Sequence, residues 1–154
     1  MYDAATKAFP QMDAAILCAV VADFRPAEVA EQKIKRETRQ DESLHPSPFT
    51  LHLIPNPDIA AELGRMKREG QLLVGFALET NDEQQNAQHK LEKKNLDFIV
   101  LNSLRNAGTC FKSDENQISI ISRQGQKDYE KKSKAEVASD IIDELQACID
   151  KPAL

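Results

Sequence analysis

The sequence predicts an α/β fold, a mostly parallel sheet flanked by helices. Three observations carry that reading. Short, unbroken apolar runs occupy Ala14–Ala22, Leu72–Leu78 and Phe98–Leu101, each suited to a strand buried on both faces and too short for a core helix. Segments with helical spacing lie between later runs, so strand and helix alternate along the chain. Each run ends on a polar side chain (Asp23, Glu79, Asn102), at the edge where open α/β sheets bind ligands. The expected architecture is therefore Rossmann-like, closed by a C-terminal β-hairpin.

Taken in order, Tyr2–Phe9 reads as a short helix closed by Pro10. After the first strand comes a charged segment with Pro26, Pro46 and Pro48 and weak periodicity. Residues from about 23 to 48 are expected to form a long, flexible flap loop, with short strand pieces around Ile34. Phe49, Leu51 and Leu53 alternate with Thr50, His52 and Ile54, which predicts a strand with one favoured face. In PNPDIAAELGRMKREG, Asn56 is expected as N-cap, Pro57 at the first helical position and Asp58 as a complement to the helix dipole. Ile59, Leu63 and Met66 share a face, and Gly70 stops the helix. Thr80 and Glu83 form a capping-box pattern for a helix to about Asn95, whose thin apolar stripe is Ala87 and Leu91. Gln117–Ser122 and Lys127–Ser133 flank the turn RQGQ as a hairpin. Ser133 and Glu136 make a second capping box, opening a helix with Val137, Ile141, Leu145 and Cys148 on one face.

At 154 residues the chain is read as one domain, 1–154, or part of one. A net charge of −5 without a Lys/Arg stripe argues against nucleic acid as the main partner. No apolar run reaches membrane-spanning length, and MYDAATKAF lacks a signal-peptide layout, so a cytoplasmic protein is expected. Cys18 and Cys148 fall on apolar faces and read as core thiols; three scattered histidines offer no metal-ligand spacing. None of the five glycines sits at phosphate-loop spacing. Either the ligand is held without such a loop, or the loop lies in polypeptide upstream of this chain. A helix beginning almost at Met1 favours the second, so the sheet is expected to be incomplete at its N-terminus.

Several residues suit chemistry, each with a plainer alternative. Asp23 could bind a ribose hydroxyl, a magnesium-bound water or an amine, or simply cap its loop. Lys33, Lys35 and Arg36 could neutralise a polyphosphate, or be solvated. The free amides of Asn56-Pro57-Asp58-Ile59 could read a base or receive an anion, although helix capping explains the residue types. Phe76 could stack on a base or fill the core. Lys90 and Lys94 share a helix face and could clamp phosphates, or face water.

The motifs ADFRP (Ala22–Pro26), KIKR (Lys33–Arg36), NPDI (Asn56–Ile59), VGFALET (Val74–Thr80), KNLDFIVLN (Lys94–Asn102) and FKSDENQISII (Phe111–Ile121) together resemble phosphopantothenate–cysteine ligase. In order and spacing they match the C-terminal half of that ligase domain, over about Tyr2–Leu145. In most bacteria the ligase is fused behind a flavin-dependent decarboxylase in the bifunctional coenzyme A biosynthesis protein. The resemblance implies that 4′-phosphopantothenate attacks CTP to give an acyl-cytidylate, which cysteine then converts to an amide. It implies a CTP site containing Ala19, Asp23, Lys33, Asn56, Pro57, Asp58, Ile59, Phe76, Lys90 and Lys94, with Lys33 as the catalytic flap lysine. It also implies magnesium with the nucleotide, with no residue assigned to the metal, and a homodimer in which the hairpin region is a plausible contributor. FMN is implied only where the decarboxylase domain is present.

The chain departs from the family pattern in two places. Val20 stands where the family usually has a second Ala. The family's Gly-Gly-Thr turn and Asn-bearing segment have no counterpart, so the chain is expected to be a fragment and a poor ligase by itself. A non-catalytic nucleotide-binding or dimerisation module is the alternative. A nicotinamide-dependent dehydrogenase ranks below both, because ADFRP poorly replaces a Gly-rich fingerprint.

Overall fold

The computed structural model describes residues 1–33, 50–79, 82–103 and 113–150. The elements run α1 (Tyr2–Ala8), a 3-10 turn (Phe9–Gln11), β1 (Ala14–Leu17), β2 (Phe24–Pro26), β3 (Leu53–Pro55), α2 (Ile59–Met66) and β4 (Leu72–Glu79). They continue with α3 (Glu83–Lys93), β5 (Phe98–Ser103), β6 (Glu115–Asn116), β7 (Ile118–Ser122), β8 (Gly125–Asp128), β9 (Lys132–Ser133) and α4 (Lys134–Ile149). They fall into two compact units. One holds Met1–Ala19 and the described residues from Ile59 onward; the other holds those within Val20–Asp58.

The larger unit is built on a sheet of order β1-β4-β5-β7-β8. β1, β4 and β5 run parallel, β7 is antiparallel to β5, and β8 is antiparallel to β7, so four of the five strands point the same way. Period-two alternation splits the core between the two faces of the sheet. Leu73, Ala77, Ile99, Leu101 and Ile121 pack with Phe9, Ile59, Leu63, Ala87 and Leu91, the inner stripes of the N-terminal helical turn, α2 and α3. Val74, Phe98, Val100, Ile118 and Ile120 pack with Val137 and Ile141 of α4. Mainly parallel strands with helices on both faces agree with the fold expected from sequence. Among the described residues no helix is long and apolar enough to cross a membrane.

Side chains pin the N-terminal edge of this sheet. Gln71 is 6% exposed; its Nε2 donates to the carbonyls of Phe9 (2.9 Å) and Met12 (2.6 Å), and its Oε1 accepts the Arg68 N–H (2.9 Å). Asp97 accepts the Leu73 N–H at 2.6 Å and takes the Lys67 ammonium on both oxygens at 2.9 and 3.0 Å. These bonds serve backbone groups at the turns before β1 and β4 and the Leu73 N–H at the start of β4. The Ser133–Glu136 capping box forms as expected. Glu136 N–H donates to Ser133 Oγ, and the Glu136 carboxylate accepts first the Ser133 hydroxyl at 2.6 Å and then the Ser133 N–H at 3.0 Å, which together hold that carboxyl below its usual range.

Several expectations fail locally. The apolar run Ala14–Ala22 is not one doubly buried strand. β1 ends at Leu17 and is half-buried, and residues 18–22 are exposed, Cys18 among them, so that thiol is not in the core. β1 lies at the margin of the sheet with β4 as its neighbour, and one neighbour covers only one side of a strand. Asn56 is not a helix cap and Pro57 is not helical, since α2 begins at Ile59 and ends at Met66. The Asn56 side chain is engaged within the smaller unit instead, as shown below. The stretch read as a loop contains β2, paired antiparallel with β3, while the strand expected from Phe49 is confined to Leu53–Pro55. Phe49 and Ile34 lie outside the described residues.

α3 starts at Glu83, preceded by Asp82 with φ 46°, so Glu83 stands at the first helical position and not at the third that a capping box needs. Thr80 lies outside the described residues. The hairpin is shorter than expected, with β7 and β8 joined through Arg123 and Gln124. Beyond the Tyr129 N–H, which donates to the Ile118 carbonyl, β7 offers no further partner, and Lys132–Ser133 pairs with Glu115–Asn116.

Candidate functional site

Within the smaller unit, β2 and β3 bring Asp23 and Asn56 together. The Asn56 N–H donates to the Asp23 carbonyl at 2.8 Å and Asn56 Nδ2 donates to the Ala22 carbonyl at 2.8 Å. Arg25 Nη1 closes the arrangement, donating to Asn56 Oδ1 at 2.9 Å and to the Pro55 carbonyl at 3.1 Å. The start of ADFRP and Asn56 of NPDI therefore meet at one end of the antiparallel ribbon, although Arg25 and Asn56 are 31 residues apart in sequence. Asp23, Pro57, Asp58 and Lys33 are exposed. Lys35 and Arg36 lie outside the described residues.

Within the larger unit, Ala19 is exposed beyond β1, and Ile59 is buried at the start of α2, where it fills core. Lys90 and Lys94 are neighbours at the end of α3, the Lys94 N–H donating to the Lys90 carbonyl at 3.1 Å. Close packing holds that end. A Cβ on Gly64 would stand 1.9 Å from the Lys94 carbonyl oxygen, and Asn95, at φ 50°, donates from Nδ2 to the Gly64 carbonyl at 3.0 Å. Phe76 is half-buried on the α4 face of β4, whereas α3 covers the opposite face. The sheet thus separates the Phe76 ring from the lysine pair.

The structure adds a residue that the sequence reading left at a strand tip without a role. Asn102 pairs in register with Leu78, two residues beyond Phe76↔Val100, so Asn102 and Phe76 share a face of the sheet. The motif KNLDFIVLN, with a carboxamide ending an apolar strand, was the available sign. Asn116 Nδ2 donates to Asn102 Oδ1 at 2.9 Å. Near the same strand ends, a depression of about 260 Å³ is lined by Glu83, Leu101, Ser119, Gln126, Asp128 and Tyr129, none of them a residue expected from sequence. There Asp128 accepts from Ser119 Oγ and Gln126 Nε2, both at 2.6 Å, which holds its carboxyl below the usual range.

Chemically, exposed lysines act as point charges for phosphate, an aromatic ring offers a stacking face, and carboxamides offer hydrogen bonds to a base or sugar. Among the described residues no group of three His, Cys, Asp or Glu side chains is placed to hold a metal ion.

Comparison with known proteins adds a family. A model described as DNA/pantothenate metabolism flavoprotein C-terminal domain matches residues 1–149. A cysteine/cysteine sulfinic acid decarboxylase from an unknown prokaryotic organism is 50% identical over 143 residues, covering 92% of this chain and 38% of that protein. The coenzyme A biosynthesis bifunctional protein CoaBC of Vibrio vulnificus is 40% identical over 146 residues, covering 95% of this chain and 35% of its own length. The chain thus spans little more than a third of these curated relatives. A crystal structure of the C-terminal domain of a CoaBC protein superposes with a TM-score of 0.73 at 27% identity, covering 97% of this chain and 61% of that one.

Proposed function

The chain belongs to the DNA/pantothenate metabolism flavoprotein C-terminal domain family, and on that premise we propose that it supplies part of a CTP-dependent phosphopantothenate–cysteine ligase of coenzyme A biosynthesis. The observation that carries the reading is the match over residues 1–149, which includes every quoted motif in order. In the proposed reaction the carboxylate of 4′-phosphopantothenate attacks the α-phosphate of CTP and expels pyrophosphate. The amine of cysteine then attacks the acyl carbon of the acyl-cytidylate, CMP leaves, and the amine proton is lost to solvent or base. Magnesium, when bound with the nucleotide, neutralises charge on the triphosphate.

Ala19, Asp23, Asn56, Pro57, Asp58, Phe76, Lys90 and Lys94 are proposed to bind CTP, with Ile59 contributing backbone only because its side chain fills core, and with Phe76 and the lysine pair reaching the nucleotide from different faces of the sheet. Lys33 is proposed to approach the phosphates and stabilise charge that develops as pyrophosphate departs. Its exposure and its place in a charged segment suit a group that must move to its target. The proposed parent is a cytoplasmic homodimer that uses FMN only in its decarboxylase part.

The share of the relatives that this chain spans favours a second reading, a nucleotide-binding or dimerisation module without turnover of its own. Calorimetric titration of the chain with CTP and magnesium, against ATP, tests binding. Joining the chain to the upstream part of a CoaBC relative and following CTP-dependent pyrophosphate release tests ligation. Release that is lost in Lys33→Gln, with an unchanged melting temperature, is the expected result. No release from the joined protein would leave the module reading, and unchanged release in Lys33→Gln would remove Lys33 from the mechanism.

A further inference from the structure

Asn102 and Asn116 meet at the C-terminal end of β5, and a backbone group decides which way round they meet. The N–H of Gln117 donates to Asn116 Oδ1 at 2.9 Å. A backbone N–H is only a donor, so the oxygen of the Asn116 carboxamide must face it. Asn116 Nδ2 is then turned to Asn102 and donates to its Oδ1 at 2.9 Å. That contact commits the oxygen of Asn102 and puts its NH2 on the arm away from Asn116. In a carboxamide, half a turn about the last torsion exchanges donor and acceptor. Here a chain of three groups, anchored in the backbone, makes that choice.

Phe76 and Asn102 are diagonal neighbours on one face of β4 and β5. Strand spacing and rise put such backbones about 8 Å apart, close enough for one ring-shaped ligand to reach both. We propose that Asn116 is a positioning residue, holding Asn102 so that the sheet edge presents a hydrogen-bond donor to an acceptor on the edge of a pyrimidine base lying against Phe76. The proposal rests on the nucleotide reading above and adds a source of base preference to it. Cytosine presents an unprotonated ring N3, an acceptor, where uracil carries N3–H, a donor. An outward donor on Asn102 therefore favours cytosine, and an outward acceptor favours uracil.

Asn116→Asp reverses the device. An ionised Asp still accepts the Gln117 N–H, but it meets Asn102 with a second oxygen, so Asn102 must turn over and present Oδ1. Asn116→Ala releases Asn102 without reversing it. In 15N-resolved NMR of the whole chain, the Asn102 side-chain NH2 is expected to shift in Asn116→Asp and to exchange more slowly with solvent than in the wild type. An unaltered NH2 signal overturns the orientation. Titration of the three proteins with CTP and with UTP, each with magnesium, gives the second readout. Asn116→Asp is expected to bind CTP roughly tenfold more weakly, with the CTP-to-UTP ratio moved towards UTP, and Asn116→Ala should fall between. CTP bound with the same ratio in all three proteins overturns the positioning role and leaves the nucleotide reading standing. No CTP binding by the wild-type chain overturns the nucleotide reading and the ligand half of the proposal, while the NMR measurement still decides the orientation of Asn102.

Discussion

Ala14–Ala22 and Leu72–Leu78 are nearly interchangeable as text, yet they end in different places. Leu73 and Val74 are 0% exposed, and Val20 in the other run is 101% exposed. β4 has a neighbour on each side, in β1 and β5, and an apolar cluster on each face. β1 has β4 on one side and stops after four residues. Apolarity states what a segment would gain from burial; its neighbours decide whether that gain is available. The sharpest way to break this comparison is truncation in both runs. Leu73→Ala is expected to cost about 2–5 kcal/mol, the usual range for a fully buried Leu. Ile16→Ala, in the half-buried strand, should cost less than half as much by denaturant unfolding. Equal losses would mean that the two strands are covered alike.

Gly75 sharpens the same contrast, because it is the β4 partner of Leu17, the last residue of β1. A Cβ there would meet Leu96 Cδ1 at 2.7 Å, and Leu96 is itself 2% exposed and has little room to give. Gly75→Ala should therefore destabilise by about 1–3 kcal/mol, as overpacking does. A neutral result would show that the Leu96 side chain can swing aside. Gln71→Ala addresses the approach to both strands. It takes their side-chain partner from the Met12 carbonyl and the Arg68 N–H and one of two donors from the Phe9 carbonyl, which keeps the Met12 N–H, and about 1–2 kcal/mol is expected by thermal or chemical unfolding. No loss would mean that water replaces Gln71 at all three groups.

Much of the larger unit was legible in the sequence, since the stripes Ile59/Leu63, Ala87/Leu91 and Val137/Ile141 and the runs of β4 and β5 all pack where their periods put them. Local rules failed where a distant partner took the side chain or the strand. Asn56 has the composition of a cap, but Ala22 and Arg25 claim its carboxamide from across β2 and β3. Lys132–Ser133 does continue the hairpin arm, but it pairs with Glu115–Asn116 just before β7, with the register shifted by one residue from Ser119↔Asp128. The candidate site was legible as a set of motifs and not as geometry. Spacing put Lys90 and Lys94 on one helix, whereas only the strand register shows that Phe76 faces away from that helix and towards the side that carries Asn102.

The smallest expected effect is the most discriminating for the first run. Val20→Asp puts a carboxylate on a side chain that is 101% exposed, so stability should change by no more than about 0.5 kcal/mol. Had the run continued as a strand buried on both faces, the same change would bury an unpaired charge, and a loss of several kcal/mol would follow. The two outcomes differ enough for a single denaturation curve to separate them. Val21→Asp, at a position 41% exposed, supplies an internal control, because a strand covered on one face would bury one of the two neighbours and spare the other, whereas one covered on both would make both variants severe. Two near-neutral variants fit a chain that leaves the sheet at Leu17. One severe and one mild variant would mean that the strand continues through Ala22, with the severe position marking its covered face.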